Sequence, residues 1–177
     1  YYNKASQSGL IRHYLAVADA AQIPMILYDV PSRTGVTMAP ETYAELAKHP
    51  NINGVKEAGP SIAKAARTLD ACGDALNVWS GNDDSAVPLL SIGGKGLISV
   101  LSNVRPAQTL DMVKSALRGD YARAGRLQLE LMPLIDEAMK DGKITVGECK
   151  EIEKAAGNVA PAFYAVSYTH LTLPTIA

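Results

Sequence analysis

The chain has little cysteine: Cys72 and Cys149 are the two among 177 residues. They lie far apart, with no C-x-x-C spacing and no histidine cluster beside them, which excludes a disulfide framework and a cysteine-based zinc site. A reducing, cytoplasmic setting is expected. Charge of one sign is also lacking, because 17 Lys and Arg face 18 Asp and Glu, for a net charge of −1 and a pI near 6.3. Balanced, scattered charge offers no electrostatic surface for a nucleic acid or a membrane. No apolar run approaches the roughly 18 residues of a membrane-spanning helix, and no signal-peptide pattern is present. No Gly-x-Gly-x-x-Gly turn follows a strand-like segment, which disfavours dinucleotide binding. The first residues are Tyr-Tyr-Asn rather than a methionine and a leader. The expectation is that the chain begins inside a longer protein.

What is present is a globular composition, 47% hydrophobic and 20% charged, with alternating periodicities. Helical spacing is predicted over residues 9–21, from Pro40 to His49, from a cap at Ser61 through Ala71, over 84–92, over 106–117 and over 120–139. Strand-like runs fall between them at 25–29, 54–57, 76–80 and 96–100. Strands regularly flanked by helices predict βα units with parallel strands, which leaves a doubly wound sheet or a (β/α)8 barrel. Polar residues end successive strands: Tyr28, Lys56 with Glu57, Ser80 to Asp84, and Ser99 with Ser102. Barrels build active sites there, and a whole barrel needs about 250 residues, so roughly half is expected here. The predicted class is therefore α/β, a partial (β/α)8 TIM barrel of about four units, followed by C-terminal helices. Beyond it, residues 141–143 read as a turn, Thr145-x-x-Glu148 as a capping box opening a helix to Ala156, and residues 166–175 fit neither periodicity.

Lys56 carries the chemistry. It interrupts the apolar stretch Asn53-Gly54-Val55-Lys56-Glu57-Ala58-Gly59, where a buried strand ordinarily holds Val, Ile or Ala. An ordinary lysine has a pKa near 10.4, so only about one amine in 2,500 is neutral at pH 7. Carbonyl-attacking lysines need a value lowered toward roughly 7 to 8, which apolar surroundings supply. Strand alternation puts Lys56 on the face opposite Val55 and Glu57, so if Val55 packs against helices, Lys56 points into the barrel. A lone lysine at a strand end ordinarily snorkels to solvent; the neighbours change that reading. Tyr28 lies one unit earlier, and adjacent strands are about 4.8 Å apart, so its phenol can relay protons as a carbinolamine collapses to an imine. Arg33 follows in a Pro/Gly turn, where its planar fork can hold a carboxylate bidentately.

Other groups read more blandly. Ser80-Gly81-Asn82-Asp83-Asp84 resembles a metal loop only weakly, and its carboxylates are read as a helix cap and loop hydrogen bonds. Asp141 to Thr145 lacks the preceding acidic ligands of a calcium loop. His13, His49 and His170 have no partner at catalytic spacing. No metal site is expected.

The strings LYDVPSRTG, GVKEAG, WSGNDD and GLISVLSNV, in this order and with the opening YYN, resemble the dihydrodipicolinate synthase family over residues 1–137. The resemblance implies the C-terminal half of a Schiff-base (β/α)8 barrel. It implies a lyase condensing pyruvate with aspartate semialdehyde in diaminopimelate and lysine biosynthesis. In that reading Lys56 forms the imine with pyruvate, so no separate cofactor is needed, and Tyr28 donates and accepts the proton. Tyr2 reaches into the neighbouring subunit's site of a homo-oligomer, usually a homotetramer. Arg33 binds the semialdehyde carboxylate, Ile98 and Gly81 contact substrate, and Tyr1 matches a position lining an allosteric lysine site. Arginine at position 33 favours the synthase over the related N-acetylneuraminate lyases, which remain the alternative, together with a noncatalytic half-barrel or helical interaction module. The family's first four strands, with a threonine pair of the relay, are not in this sequence, so the chain alone is expected to be inactive. Residues 138–165 differ from the family's continuation and are read as a helical segment of separate origin. The end, VSYTHLTLPT, resembles a translated adaptor, so residues 166–177 are set aside from the fold.

Overall fold

The structure is a computed structural model that describes residues 3–139. Its elements follow the capping chemistry. Ser6 opens α1 (Gln7–Ala21) by accepting a hydrogen bond on Oγ from the Gly9 amide at 3.1 Å, and Gln22, in the left-handed region at φ 53°, closes it. Strand β1 (Met25–Asp29) leads into a four-residue helix, α2 (Pro31–Thr34), which Gly35 ends at φ 64°. The Pro/Gly segment expected as a turn is thus one helical turn, with proline at its start. Next come α3 (Pro40–Leu46), β2 (Ile52–Glu57) and α4 (Ile62–Cys72). Ser61 caps α4 through Lys64 N at 3.1 Å, as its sequence position predicts. Strand β3 (Asn77–Ser80), α5 (Ala86–Ser91), β4 (Gly96–Leu97), α6 (Pro106–Leu117) and α7 (Tyr121–Met139) complete the described chain.

Two elements are shorter than their periodicity predicts. Helix α3 stops at Leu46 rather than His49. Beyond it the Lys48 and His49 amides donate to the Glu45 and Leu46 carbonyls at 3.3 and 3.0 Å, three residues back, as turns do, and Pro50 disfavours helical backbone at His49 itself. Strand β4 stops at Leu97 rather than Val100. There the Asp83 carboxylate accepts from the Ser99 hydroxyl and from the Val100 and Leu101 amides at 3.1 Å each, drawing the backbone into a 3₁₀ turn over Leu101–Asn103.

The four strands form one parallel sheet in the order β1-β2-β3-β4, with Tyr28 opposite Lys56, Asp29 opposite Glu57, and Lys56 opposite Trp79. Parallel order with a helix between successive strands is the βα arrangement that the sequence predicts. The pleat sorts the strands into two faces. Leu27, Val55 and Val78 point to the helices and are buried with Ala18, Tyr43, Leu46, Ala65 and Leu89 in the main core. Ile26, Tyr28, Lys56 and Trp79 occupy the other face, where Ile26 and Tyr28 are exposed. A second apolar cluster, with Ala86, Leu101, Met112, Leu131 and Ile135 at its centre, seats α6 and α7. Among the described residues no helix is long and apolar enough to cross a membrane.

Candidate active site

The carboxyl ends of β1 and β2 bring together the two residues singled out from the sequence. Tyr28 and Lys56 are paired in register, and the Lys56 Nζ lies 4.4 Å from the centroid of the Tyr28 ring. At that separation the ring face attracts the amine when it is protonated and holds it beside the phenol. Val55 is fully buried against the helices and Glu57 is 6% exposed. Lys56 therefore lies on the opposite face, as alternation predicts.

Gly81 adds a steric condition. A Cβ built there would come within 2.8 Å of the Ala58 Cβ and 3.0–3.1 Å of the Lys56 Cε and Cγ. Only a glycine leaves the lysine stem this channel. The Gly81 amide donates to the Glu57 carbonyl at 2.7 Å, which fixes the chain after β3 directly beside the strand that carries Lys56. Ile98 follows β4 and its amide donates to the Ser80 carbonyl at 2.8 Å. Gly81 and Ile98 are thus tied to the carboxyl ends of β2 and β3.

Arg33 is exposed on α2, just past the end of β1, and its guanidinium makes no hydrogen bond among the described residues. It is free to meet a ligand but does not touch the Tyr28–Lys56 pair. Tyr1 and Tyr2 lie outside the described residues, as do the 141–143 turn, the 145–148 capping box, Cys149 and His170. Cys72 is a free, buried thiol whose pKa burial pushes up. Asp83 is committed to the Ser99 hydroxyl and the Val100 and Leu101 amides, in line with its reading as a source of loop hydrogen bonds. His49, read as having no partner at catalytic spacing in the sequence, sits 3.1 Å from Asp19, 30 residues away, and accepts from the Asn51 amide on Nδ1. His13 packs edge-on against Tyr14.

Sequence reasoning missed what lies directly behind the site. Asp29 and Glu57, the next residues after Tyr28 and Lys56, point to the helix layer and are 3% and 6% exposed. Lys64 of α4 reaches both, 2.5 Å from Asp29 Oδ2 and 2.8 Å from Glu57 Oε2. Asp29 Oδ2 also accepts from the Tyr43 phenol at 2.9 Å, the Met38 amide at 3.1 Å and the Thr37 hydroxyl at 3.2 Å. Burial first, and then the two carboxylates, push the Tyr43 pKa well above the ordinary phenol range. A signal was available: two carboxylates on the apolar-packed face of a parallel sheet require a cation. Lys64 stands seven residues after Glu57, on the next helix.

These features define an α/β protein with a parallel sheet whose lysine and tyrosine meet at the strands' carboxyl ends. The chain belongs to the Dihydrodipicolinate synthetase family, whose family model matches residues 1–164. It is 49% identical over 135 residues to 4-hydroxy-tetrahydrodipicolinate synthase of Caldicellulosiruptor bescii, covering 76% of this chain and 45% of that protein. The enzyme of the same name from Geobacter sulfurreducens is 48% identical over 134 residues, with 76% and 46% covered. Among solved structures, dihydrodipicolinate synthase from Thermotoga maritima superposes with a TM-score of 0.75 at 39% identity, covering 78% of this chain and 48% of that one. The chloride-inhibited dihydrodipicolinate synthase from Acinetobacter baumannii, complexed with pyruvate, gives 0.78 at 32% identity, covering 97% and 54%. The chain spans about half the length of the curated relatives it matches. Residues 165–177 lie beyond the family match.

Proposed function

We propose that the described residues form the C-terminal arc of a (β/α)8 barrel. The barrel belongs to a class I lyase condensing pyruvate with aspartate semialdehyde to 4-hydroxy-tetrahydrodipicolinate. The observation that carries this reading is the Lys56 amine held over the Tyr28 ring at the carboxyl ends of adjacent parallel strands, within 135 residues that are 49% identical to a 4-hydroxy-tetrahydrodipicolinate synthase.

The chemistry follows from the pair. The neutral Lys56 amine attacks the ketone carbon of pyruvate, forming a C–N bond while the carbonyl oxygen takes up a proton. Loss of water from the carbinolamine gives the imine, and the Tyr28 phenol moves the proton between nitrogen and the departing oxygen. Loss of a methyl proton makes an enamine, whose carbon attacks the semialdehyde carbonyl, its oxygen taking up a proton. The semialdehyde's own amino group then attacks the imine carbon, closing the ring as the bond to the Lys56 nitrogen breaks and the free amine is regenerated. The covalent imine makes a separate cofactor unnecessary. Arg33 holds the semialdehyde carboxylate by charge-assisted hydrogen bonds. Ile98 offers substrate its backbone carbonyl, since its amide is committed to Ser80. Gly81 acts by clearing space for the lysine stem. Tyr2 completes the relay in a neighbouring subunit of a cytoplasmic homo-oligomer, and Tyr1 lines an allosteric site. Four strands supply part of this constellation, so the chain alone is inactive and requires the remaining units of the barrel.

The test is to complete the barrel with the N-terminal half of a curated relative, incubate it with pyruvate and borohydride, and map the adduct by mass spectrometry. A reduced pyruvate adduct on Lys56 is expected. Its absence from that residue would overturn the mechanism.

A further inference from the structure

Behind the Tyr28–Lys56 pair the charges do not balance. Asp29 and Glu57 face each other across β1 and β2, both on the buried face, and among the described residues the cation paired with them is Lys64 alone. Both Glu57 carboxylate oxygens are acceptors, Oε1 from the Gly59 amide at 2.7 Å and Oε2 from Lys64 at 2.8 Å. Asp29 Oδ2 takes four donors. Each of these partners is a donor to a carboxyl oxygen, as an ionised carboxylate requires. The other ionisable groups turned toward the cluster are the phenols of Tyr43 on α3 and Tyr14 on α1, and Asp29 contributes to raising the pKa of both.

We propose that Lys64 is a positioning residue for the active-site lysine: by bridging Asp29 and Glu57 it holds the ends of β1 and β2 in register and offsets the negative charge directly behind Lys56. The inference rests on Lys56 being the reactive amine of the proposed function. Two like charges facing each other across paired strands push the strands apart unless a counter-ion lies between them. The residues they would displace are the immediate neighbours, Tyr28 and Lys56. Charge left uncompensated at that depth also favours the ammonium form of a nearby amine, which is the unreactive form. A single side chain from the helix after β2 thus acts on both the geometry and the protonation of the site without touching substrate.

The test reads the Lys56 amine directly. The chain is trace-labelled at pH 8 with 1-fluoro-2,4-dinitrobenzene, and Lys56 labelling is measured by peptide mass spectrometry relative to exposed Lys95. The proposal requires rates that rank by charge. Glu57→Gln, which removes one negative charge, labels about threefold faster than wild type, and Lys64→Met labels about threefold to tenfold slower. The double variant Glu57→Gln/Lys64→Met returns to within about twofold of wild type, because its net charge is that of the wild type. If Lys64→Met does not fold, the Glu57→Gln and double variants decide the matter between them. Equal labelling of Glu57→Gln and wild type overturns the proposal. So does a Lys64→Met protein with a lowered melting temperature but wild-type labelling, which would mean a purely structural lysine. Pyruvate trapping on the completed barrel is run in parallel. Its failure in wild type removes the proposed function while the labelling order still judges Lys64.

Discussion

The two faces of β1 and β2 use adjacent residues for opposite purposes. On the inner face Tyr28 and Lys56 are open to solvent or ligand, and Tyr28 keeps 39% of its surface exposed. One residue further along each strand, Asp29 and Glu57 turn the other way and are sealed under α3 and α4 around Lys64 and Tyr43. The inner pair is within reach of a ligand, with Lys56 half-buried beside the exposed Tyr28 ring. The outer cluster is buried and multiply bonded, with four donors to Asp29 and two to Glu57. The difference shows how a strand pleat lets one short stretch carry both a site and its support, with a period of two separating the roles.

The predictions probe that contrast on the completed barrel unless stated. The largest effect belongs to the inner pair: Tyr28→Phe, which keeps the ring over Lys56 and removes the hydroxyl, lowers kcat by about 10²- to 10⁴-fold. Pyruvate binding is little changed, and steady-state kinetics separate the two. Arg33→Ala comes next. It raises the KM for aspartate semialdehyde by about tenfold to a hundredfold, the worth of a charged hydrogen bond, and leaves condensation with an uncharged sugar aldehyde unaffected. Equal loss with both acceptors would remove Arg33 from the site and bring the N-acetylneuraminate lyase reading forward.

Gly81→Ala sits where inner and outer faces meet. The added methyl meets the Ala58 Cβ at 2.8 Å and the Lys56 stem at about 3 Å, so overpacking costs about 1–3 kcal/mol and shifts the lysine. Denaturant unfolding reads the first effect, and borohydride trapping reads the second. The smallest effect lies far from both faces. Arg123 holds the Asp111 carboxyl below the usual carboxylate range, through hydrogen bonds at 2.5 and 3.3 Å that link α6 to α7. A carboxyl lowered in the folded state contributes stability above its unfolded pKa and loses it as pH falls through the folded value. The pair is exposed, so the contribution is small and salt-screened. Melting temperatures of wild type and Asp111→Asn in this chain should differ slightly at pH 6 and converge as pH falls below the carboxylate range.

Much of this arrangement was legible in the residues. Met25–Asp29 and Pro106–Leu117 fall where periodicity and the helix-starting proline put them. The meeting of Tyr28 with Lys56 followed from strand spacing and alternation. The early end of β4 was not legible, because GLISV has full strand character. It is an aspartate from the preceding loop, Asp83, that bends the backbone after Leu97. The partnership of His49 with Asp19 was equally hidden, since it joins residues 30 positions apart through the packing of α1 beside the end of α3. Gly81 looked like a loop residue, and its steric role emerges only when the Lys56 stem is seen to pass beside it.

By itself the sequence determined the local grammar: which segments are strands and helices, that the strands run parallel, and that a lysine and a tyrosine share one face. These depend on periodicities of 3.6 and 2 and on caps, which are properties of neighbours along the chain. Only the tertiary structure decided which ion partners serve Asp29 and Glu57, how far β4 extends, and why residue 81 must be glycine. Those outcomes depend on contacts between distant segments, whose burial sets the cost of an unpaired charge or a misplaced methyl group.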